Sequence, residues 1–356
     1  MREPTRLVSV DAIGTYRDRI DVRSPAEFAE DHVPGAANHP VLSNDERAFV
    51  GTLHATESAF AAKRTGAAIV ARNIAAMLET AFRDRPREWA PLVYCWRGGK
   101  RSAALTHVLN EIGWRAVQLE GGYRAYRRQV RAHLALEPAL DFRVICGLTG
   151  SGKSRLLRAL AEEGAQVLDL ERLARHRGSL LGSLPDAPQP SQKMFESLLL
   201  DDLHGFDPAQ PVYVESESKR IGALQVPGAL LDAMRRAPCI RIDLVPALRI
   251  ALLREEYAHF LDDTETLARQ LEPLTPLHGR ATVERWNAAA RAGEWDVFVG
   301  ELLTRHYDPM YTRAIERNFP RHADAQVLRP AAIDMEHFRA VAKRLVQANA
   351  TVVEPT

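Results

Sequence analysis

A cysteine stands where an apolar run gives way to glycines and cations: Leu92, Val93 and Tyr94 lead into Cys95, and Trp96, Arg97, Gly98, Gly99, Lys100, Arg101 and Ser102 follow. Ala104, Leu105, Val108, Leu109 and Ile112 then recur at helical spacing, so the cysteine falls at a strand-to-helix turn. Glycines let consecutive backbone N–H groups converge on one point, and a helix N-terminus adds positive potential there, as do Arg97, Lys100 and Arg101. Such a field favours negative charge on sulfur, giving a nucleophile that the same donors can hold against an incoming oxyanion. An isolated cysteine is more often a small buried hydrophobe, and the loop around Cys95 is what tips the reading toward chemistry. Cys146 and Cys239, each beside apolar residues, keep the inert reading.

A second loop follows about fifty residues later. Gly147, Gly152, Lys153 and Ser154 satisfy the pattern G-x-x-x-x-G-K-S, directly after the apolar run 144–146 and before the helix-patterned 155–161. Backbone N–H groups from Thr149 through Gly150, Ser151 and Gly152 to Ser154 can wrap a diphosphate, while Lys153 supplies a cation. The Ser154 hydroxyl can reach a magnesium ion arriving with that diphosphate. No permanently bound cofactor is expected, and no metal held by protein ligands alone. A companion acidic residue should end a neighbouring strand; PVYVE places Glu215 there with Glu217 close behind, against the plainer reading of a strand-end salt bridge.

For helices to begin at both loops, each must follow a strand of a sheet, and the chain supplies such elements. Short β-type runs at 7–10, 20–22, 92–94 and 116–119 alternate with helical stretches and predict a parallel α/β sheet over residues 1–134. A stretch at about 44–90, with Ala67, Ile69, Val70, Ile74, Met77 and Leu78 at mostly helical spacing, interrupts it as a helical insertion. A second strand and helix series, with runs at 142–146, 167–170, 212–215 and 240–244, occupies 140–356, and the region after Tyr257 reads as mostly helical. Pro138 punctuates the boundary between the two, and the proline-rich loop at 184–192 is expected to be exposed. The chain's 356 residues agree with two or so domains of roughly 100–200 residues.

Composition narrows the function classes. A formal net charge of +1 announces no global field for a nucleic acid, so any RNA contact must come from local patches. Three widely spaced cysteines suit a reducing compartment better than a disulfide framework or a zinc site. The stretch from Met1 has no apolar leader pattern, and no apolar run approaches about 18 residues, so a cytoplasmic location without a membrane partner is expected.

The segments IDVRSPAEFAEDHVPGAANHP from Ile20 and LEGGYRAYRR from Leu119 flank the cysteine loop in order, and with it resemble the rhodanese domain. The resemblance implies a chalcogen-carrying role for Cys95. The loop departs from the usual sulfurtransferase spacing by one residue, since five residues separate Cys95 from Arg101. Such a spacing is similar to dual-specificity phosphatases, but Tyr94 rather than histidine precedes the cysteine and no carboxylic general acid is evident.

A rhodanese domain followed by a P-loop domain, with VLSNDERAFVGTL from Val41, LERLARHRGSLLG from Leu170, QPSQKMFE from Gln189, VESESKRIG from Val214 and HYDPMY from His306, resembles the tRNA 2-selenouridine synthase family. The fold class expected is therefore α/β: a rhodanese-like parallel sheet domain, then a P-loop NTPase-like α/β domain with a helical C-terminal region. The resemblance implies a transferase that exchanges sulfur for selenium in a tRNA wobble 2-thiouridine. Selenophosphate would be the donor, and geranyl diphosphate would make an S-geranylated intermediate. Arg124, Arg127, Arg128 and Arg131 at i, i+3, i+4 and i+7 offer a basic helical stripe for tRNA phosphates, and Arg175, His176 and Arg177 a second cluster; a solvated helix face would look the same. The rival readings are a persulfide sulfurtransferase fused to a nucleotide-binding domain and a non-enzymatic, nucleotide-gated RNA-binding module.

Overall fold

The computed structural model describes residues 6–185 and 187–350. The first residues of the N-terminal stretch, Asp186 of the proline-rich loop and residues 351–356 lie outside the described residues. The chain divides into two compact units, the first running to His133 and taking in Pro190–Asp201, the second made of Leu134–Gln189 and the chain from Asp202 onward.

The first unit is built on five strands, β1 (Leu7–Val8), β2 (Arg19–Asp21), β3 (Ala36–Asn38), β4 (Leu92–Tyr94) and β5 (Val117–Leu119), in the order β1-β5-β4-β2-β3 with every pairing parallel. The central strand β4 is fully buried at Leu92, Val93 and Tyr94, as a parallel strand covered on both faces must be. Helix α1 (Pro25–Glu30) starts at a capping box in which Ser24 and Glu27 satisfy each other's backbone, with Pro25 opening the first turn. The insertion expected at 44–90 is the helix pair α2 (Asn44–Thr56) and α3 (Ala59–Glu79), the latter burying Ala62, Gly66, Ile69, Ile74 and Met77. Helices α4 (Lys100–Ile112) and α5 (Gly122–Leu134) complete the crossovers. The predicted strand at 7–10 ends early, because Val10–Thr15 turns into a 3-10 helix.

In the second unit the strands β6 (Asp141–Cys146), β7 (Gln166–Leu168), β8 (Pro211–Glu215), β11 (Cys239–Ile242) and β12 (Gln326–Leu328) form a parallel sheet ordered β12-β11-β6-β8-β7, while β9 (Arg220–Ile221) and β10 (Leu224–Gln225) make a separate antiparallel pair. Helix α6 (Lys153–Glu162) starts at the glycine-rich turn after β6, and its Leu156, Leu157 and Leu160 pack with Phe338, Val341 and Leu345 of the last helix, Met335–Ala350. The strand expected at 167–170 stops at Leu168, since Asp169 accepts from the Arg172 N–H and caps α7 (Leu170–Ala174). Helices α8 (Gln192–Gly205), α9 (Gly228–Arg236) and α10 (Pro246–Glu256) precede a helical array running from His259 to Asn318. The region after Tyr257 is mostly helical, as expected, and also returns a short strand, β12, to the sheet edge. One sequence expectation needs correction. The proline-rich loop is not simply exposed, because the Gln189 amide donates to the Ala174 and Ile221 carbonyls and accepts from the Ala223 N–H. No helix among the described residues is long and apolar enough to cross a membrane.

Candidate functional site

Cys95 leaves the carboxyl end of β4 with only 3% of its surface exposed. Its sulfur receives the Gly99 N–H at 3.2 Å and the Ser102 hydroxyl at 3.1 Å, both from the first turn of α4. The turn between them is possible only with glycine: Gly98 has φ +63°, and a Cβ there would lie 2.5 Å from the Leu119 carbonyl oxygen. Gly122, at φ +57°, packs its backbone against Cys95 and Gly98 with the same intolerance of a side chain. The Tyr123 and Arg124 N–H groups then hold the carbonyls of Cys95 and Trp96. Gln118, a lone polar residue in the otherwise apolar β5, is buried and donates to Gly98 O at 2.6 Å and Ser102 Oγ at 2.9 Å. Sequence reading missed it, although a glutamine in a buried parallel strand is itself a signal.

The cations of this loop divide. Arg97 and Lys100 are exposed beside it, whereas Arg101 is half-buried and donates to Glu27 at 2.9 Å. Burial opposes ionisation of Glu27, but the Arg101 guanidinium outweighs it and holds the carboxyl below its ordinary range. Arg101 is thus committed to fixing α4 against α1, which leaves Arg97 and Lys100 as the exposed cations of the loop. Beneath the loop lies a buried network. Arg23 grips Asp21 through Nε and Nη2, donates to the Asp31 carbonyl at 2.6 Å, and lies 3.9 Å over the Tyr123 ring. The Tyr123 hydroxyl donates to Asp31 at 2.7 Å, and Tyr94 accepts from the Val33 N–H. Tyr94 is thereby occupied in the wall of the site.

In the second unit the loop after β6 has Gly150 at φ +74° and Gly152 at φ +89°, so its amides can turn inward as a cradle. A Cβ on Gly152 would meet the Phe338 ring at 2.5 Å. Lys153 is folded back, donating to Gly147 O at 3.0 Å, and its ammonium lies 5.8 Å from the Tyr311 ring centroid. Arg249, 5% exposed, clamps the loop from behind: Nε donates to Thr149 O at 2.9 Å while both Nη atoms hold Asp308. The half-open pocket in front, about 760 Å³ with the solvent at its mouth included, is lined by the loop together with Arg158, Glu171, Arg177, Glu217 and Tyr311.

The acidic side of this pocket adds a residue to the sequence reading. Glu215 ends β8 as expected, but it is buried and accepts from the Glu171 N–H at 2.8 Å. The carboxylate that meets Ser154 Oγ, at 3.0 Å, belongs to Glu171, a residue read from sequence only as part of the family-resembling segment LERLARHRGSLLG. Burial beside Glu217 pushes the Glu171 carboxyl up to about 8, and burial also raises Glu215 and Glu217. Among the described residues no group of three or more His, Cys, Asp or Glu is arranged to hold a metal. Ser154 with Glu171 nevertheless fits a magnesium ion whose remaining ligands are phosphate oxygens and water.

The basic candidates also separate. Arg124, Arg128 and Arg131 are exposed along α5, while Arg127 pairs with Glu196 and donates to Lys193 O. Arg175 is exposed, but His176 is buried and accepts from the Gly178 N–H, and burial lowers its basicity. Arg177 turns to the phosphate-loop pocket, where it donates to Glu256 O and lies 4.6 Å over the Tyr257 ring. Arg175, His176 and Arg177 therefore make no single surface. Cys146 and Cys239 are buried in adjacent strands.

A family model described as the tRNA 2-selenouridine synthase AAA domain matches residues 140–274, and the rhodanese-like domain model matches residues 11–129. A protein of Bdellovibrio bacteriovorus named tRNA 2-selenouridine synthase is 31% identical over 346 residues, which cover 84% of this chain and 89% of that protein. A protein of the same name from Salmonella newport is 34% identical over 333 residues, with the same coverage of 84% and 89%.

Proposed function

The chain belongs to the tRNA 2-selenouridine synthase family, and we propose that its two loops serve successive steps in which this tRNA-modifying transferase replaces sulfur by selenium in a wobble 2-thiouridine. The observation that supports this reading is the presence, in one chain, of a sulfur ringed by N–H and O–H donors and of a separate glycine loop shaped for a diphosphate.

In the first step the thiouridine sulfur attacks the first carbon of geranyl diphosphate. A C–S bond forms, the C–O bond breaks, diphosphate leaves, and the uridine N3 proton passes to solvent. The amides of 149–154 hold the diphosphate, and Lys153, released from the Gly147 carbonyl, neutralises it. Ser154 and Glu171 would hold a magnesium ion, which when bound adds positive charge to the departing diphosphate. Alkylation makes the sulfur a leaving group.

In the second step water takes the phosphoryl group of selenophosphate, giving phosphate and selenide. The selenide electron pair forms a bond to C2 of the base, the C2–S bond breaks, and the sulfur leaves as geranyl thiol after taking a proton. Arg97, Lys100 and the amides ahead of α4 hold the selenophosphate oxyanion, and Cys95 directs its selenium. Arg124, Arg128 and Arg131 supply phosphate contacts for the tRNA. The test supplies Cys95→Ala protein with S-geranylated tRNA and selenophosphate and weighs the nucleosides: the geranylated base should persist, and selenouridine formed at the wild-type rate would remove Cys95 from the mechanism.

A further inference from the structure

A half-open apolar cleft, about 550 Å³ with the solvent at its mouth included, lies within the helical array of the second unit. Its wall is almost wholly carbon, contributed by Leu253, Phe260, Trp295, Phe298, Val299 and Leu302. It abuts the phosphate-loop pocket, since Thr149, Ser179, Leu253 and Tyr257 line both. Large apolar side chains that line a cleft at the edge of a charged pocket leave carbon surface facing water, which an apolar occupant would cover.

The backbone is adapted at the junction. Leu303–Tyr307 is a π-helical turn, a form found mostly as single turns at functional sites. It places Leu303 and Tyr307 on the apolar cleft, while Tyr311, one turn further on, lines the phosphate-loop pocket. A ligand with its diphosphate on the loop amides therefore meets carbon on leaving it. A nucleoside base would need donors and acceptors, which this wall scarcely offers; a hydrocarbon chain needs only dry surface.

We propose that this cleft receives the hydrocarbon tail of the alkyl diphosphate, with Val299 and Leu302 limiting tail length, an inference that rests on the reading of the loop as an alkyl diphosphate site. The test uses the full chain with magnesium and measures binding of inorganic diphosphate, dimethylallyl diphosphate, geranyl diphosphate and ATP by calorimetry. Wild-type protein should bind the ten-carbon diphosphate at least about tenfold more tightly than the five-carbon one, as burial of the added methylenes requires. Val299→Trp, and independently Leu261→Trp at the partly exposed rim, should remove that advantage while leaving inorganic diphosphate binding and the melting temperature unchanged. Equal affinity for the two tails in wild-type protein, or unchanged geranyl diphosphate binding in both tryptophan variants, would overturn the cleft assignment and leave the loop's diphosphate role standing. ATP binding lost in the tryptophan variants would give the cleft to a base instead. Geranyl diphosphate binding untouched by Lys153→Ala would overturn the loop reading and the cleft proposal with it.

Discussion

The Ser102 hydroxyl lies 3.1 Å from the Cys95 sulfur and 3.1 Å from Gly99 O, and it accepts from Gln118 Nε2 at 2.9 Å, so its one proton is left for the sulfur or that carbonyl. Ser102→Ala should therefore slow selenium transfer by about tenfold, the value of one hydrogen bond. Single-turnover assays on geranylated tRNA measure it, and an unchanged rate would mean that the hydroxyl only supports Gly99. Gly98→Ala should be harsher for folding, since it adds a Cβ at φ +63° against the Leu119 carbonyl; a lower melting temperature with geranylation intact is the expected outcome. At this scale the sequence was most legible where chemistry comes from contiguous residues. Cys95, Gly98, Gly99 and Ser102 announced themselves by spacing, as did Lys153 and Ser154. Glu171 and Gln118 did not, because each reaches its partner from another element: Glu171 meets Ser154 only when α7 follows β7 beside the loop.

Elements act on the sites through buried charge. Arg23 is fully desolvated, and its partners Asp21 and the Asp31 carbonyl tie β2 to the end of α1 directly beneath the cysteine loop. Removing one member of such a pair leaves an uncompensated buried charge, so Arg23→Met should destabilise the first unit by about 3–5 kcal/mol. Urea unfolding reads this, and a loss under about 1 kcal/mol would show that solvent reaches the pair. In the second unit Arg249→Leu should weaken diphosphate binding, because the clamp from Thr149 O to Asp308 is cut. The strands and helices around both loops could be read from periodicity, but β3, β9, β10 and β12 could not. They are two or three residues long, and their pairing partners, not their own composition, make them strands.

Across the whole molecule, sequence order and spatial grouping part company. Pro190–Asp201 lies late in the chain yet belongs to the first compact unit, where Glu196 pairs with Arg127 and Lys193 with Glu30. A chain ending at Leu134 should therefore melt at a lower temperature than the same fragment with a 190–205 peptide added; no rise on addition would show that the segment contributes nothing to that unit's stability. No local pattern announces such a return, since contacts over that sequence distance reflect tertiary packing alone. If the two loops serve two successive steps, weighing the nucleosides of thiolated tRNA incubated with geranyl diphosphate and selenophosphate should separate them. Lys153→Ala should leave 2-thiouridine unmodified, and Cys95→Ala should accumulate the geranylated base. Selenouridine made normally by Cys95→Ala, or geranylation undiminished in Lys153→Ala, would contradict the two-step reading.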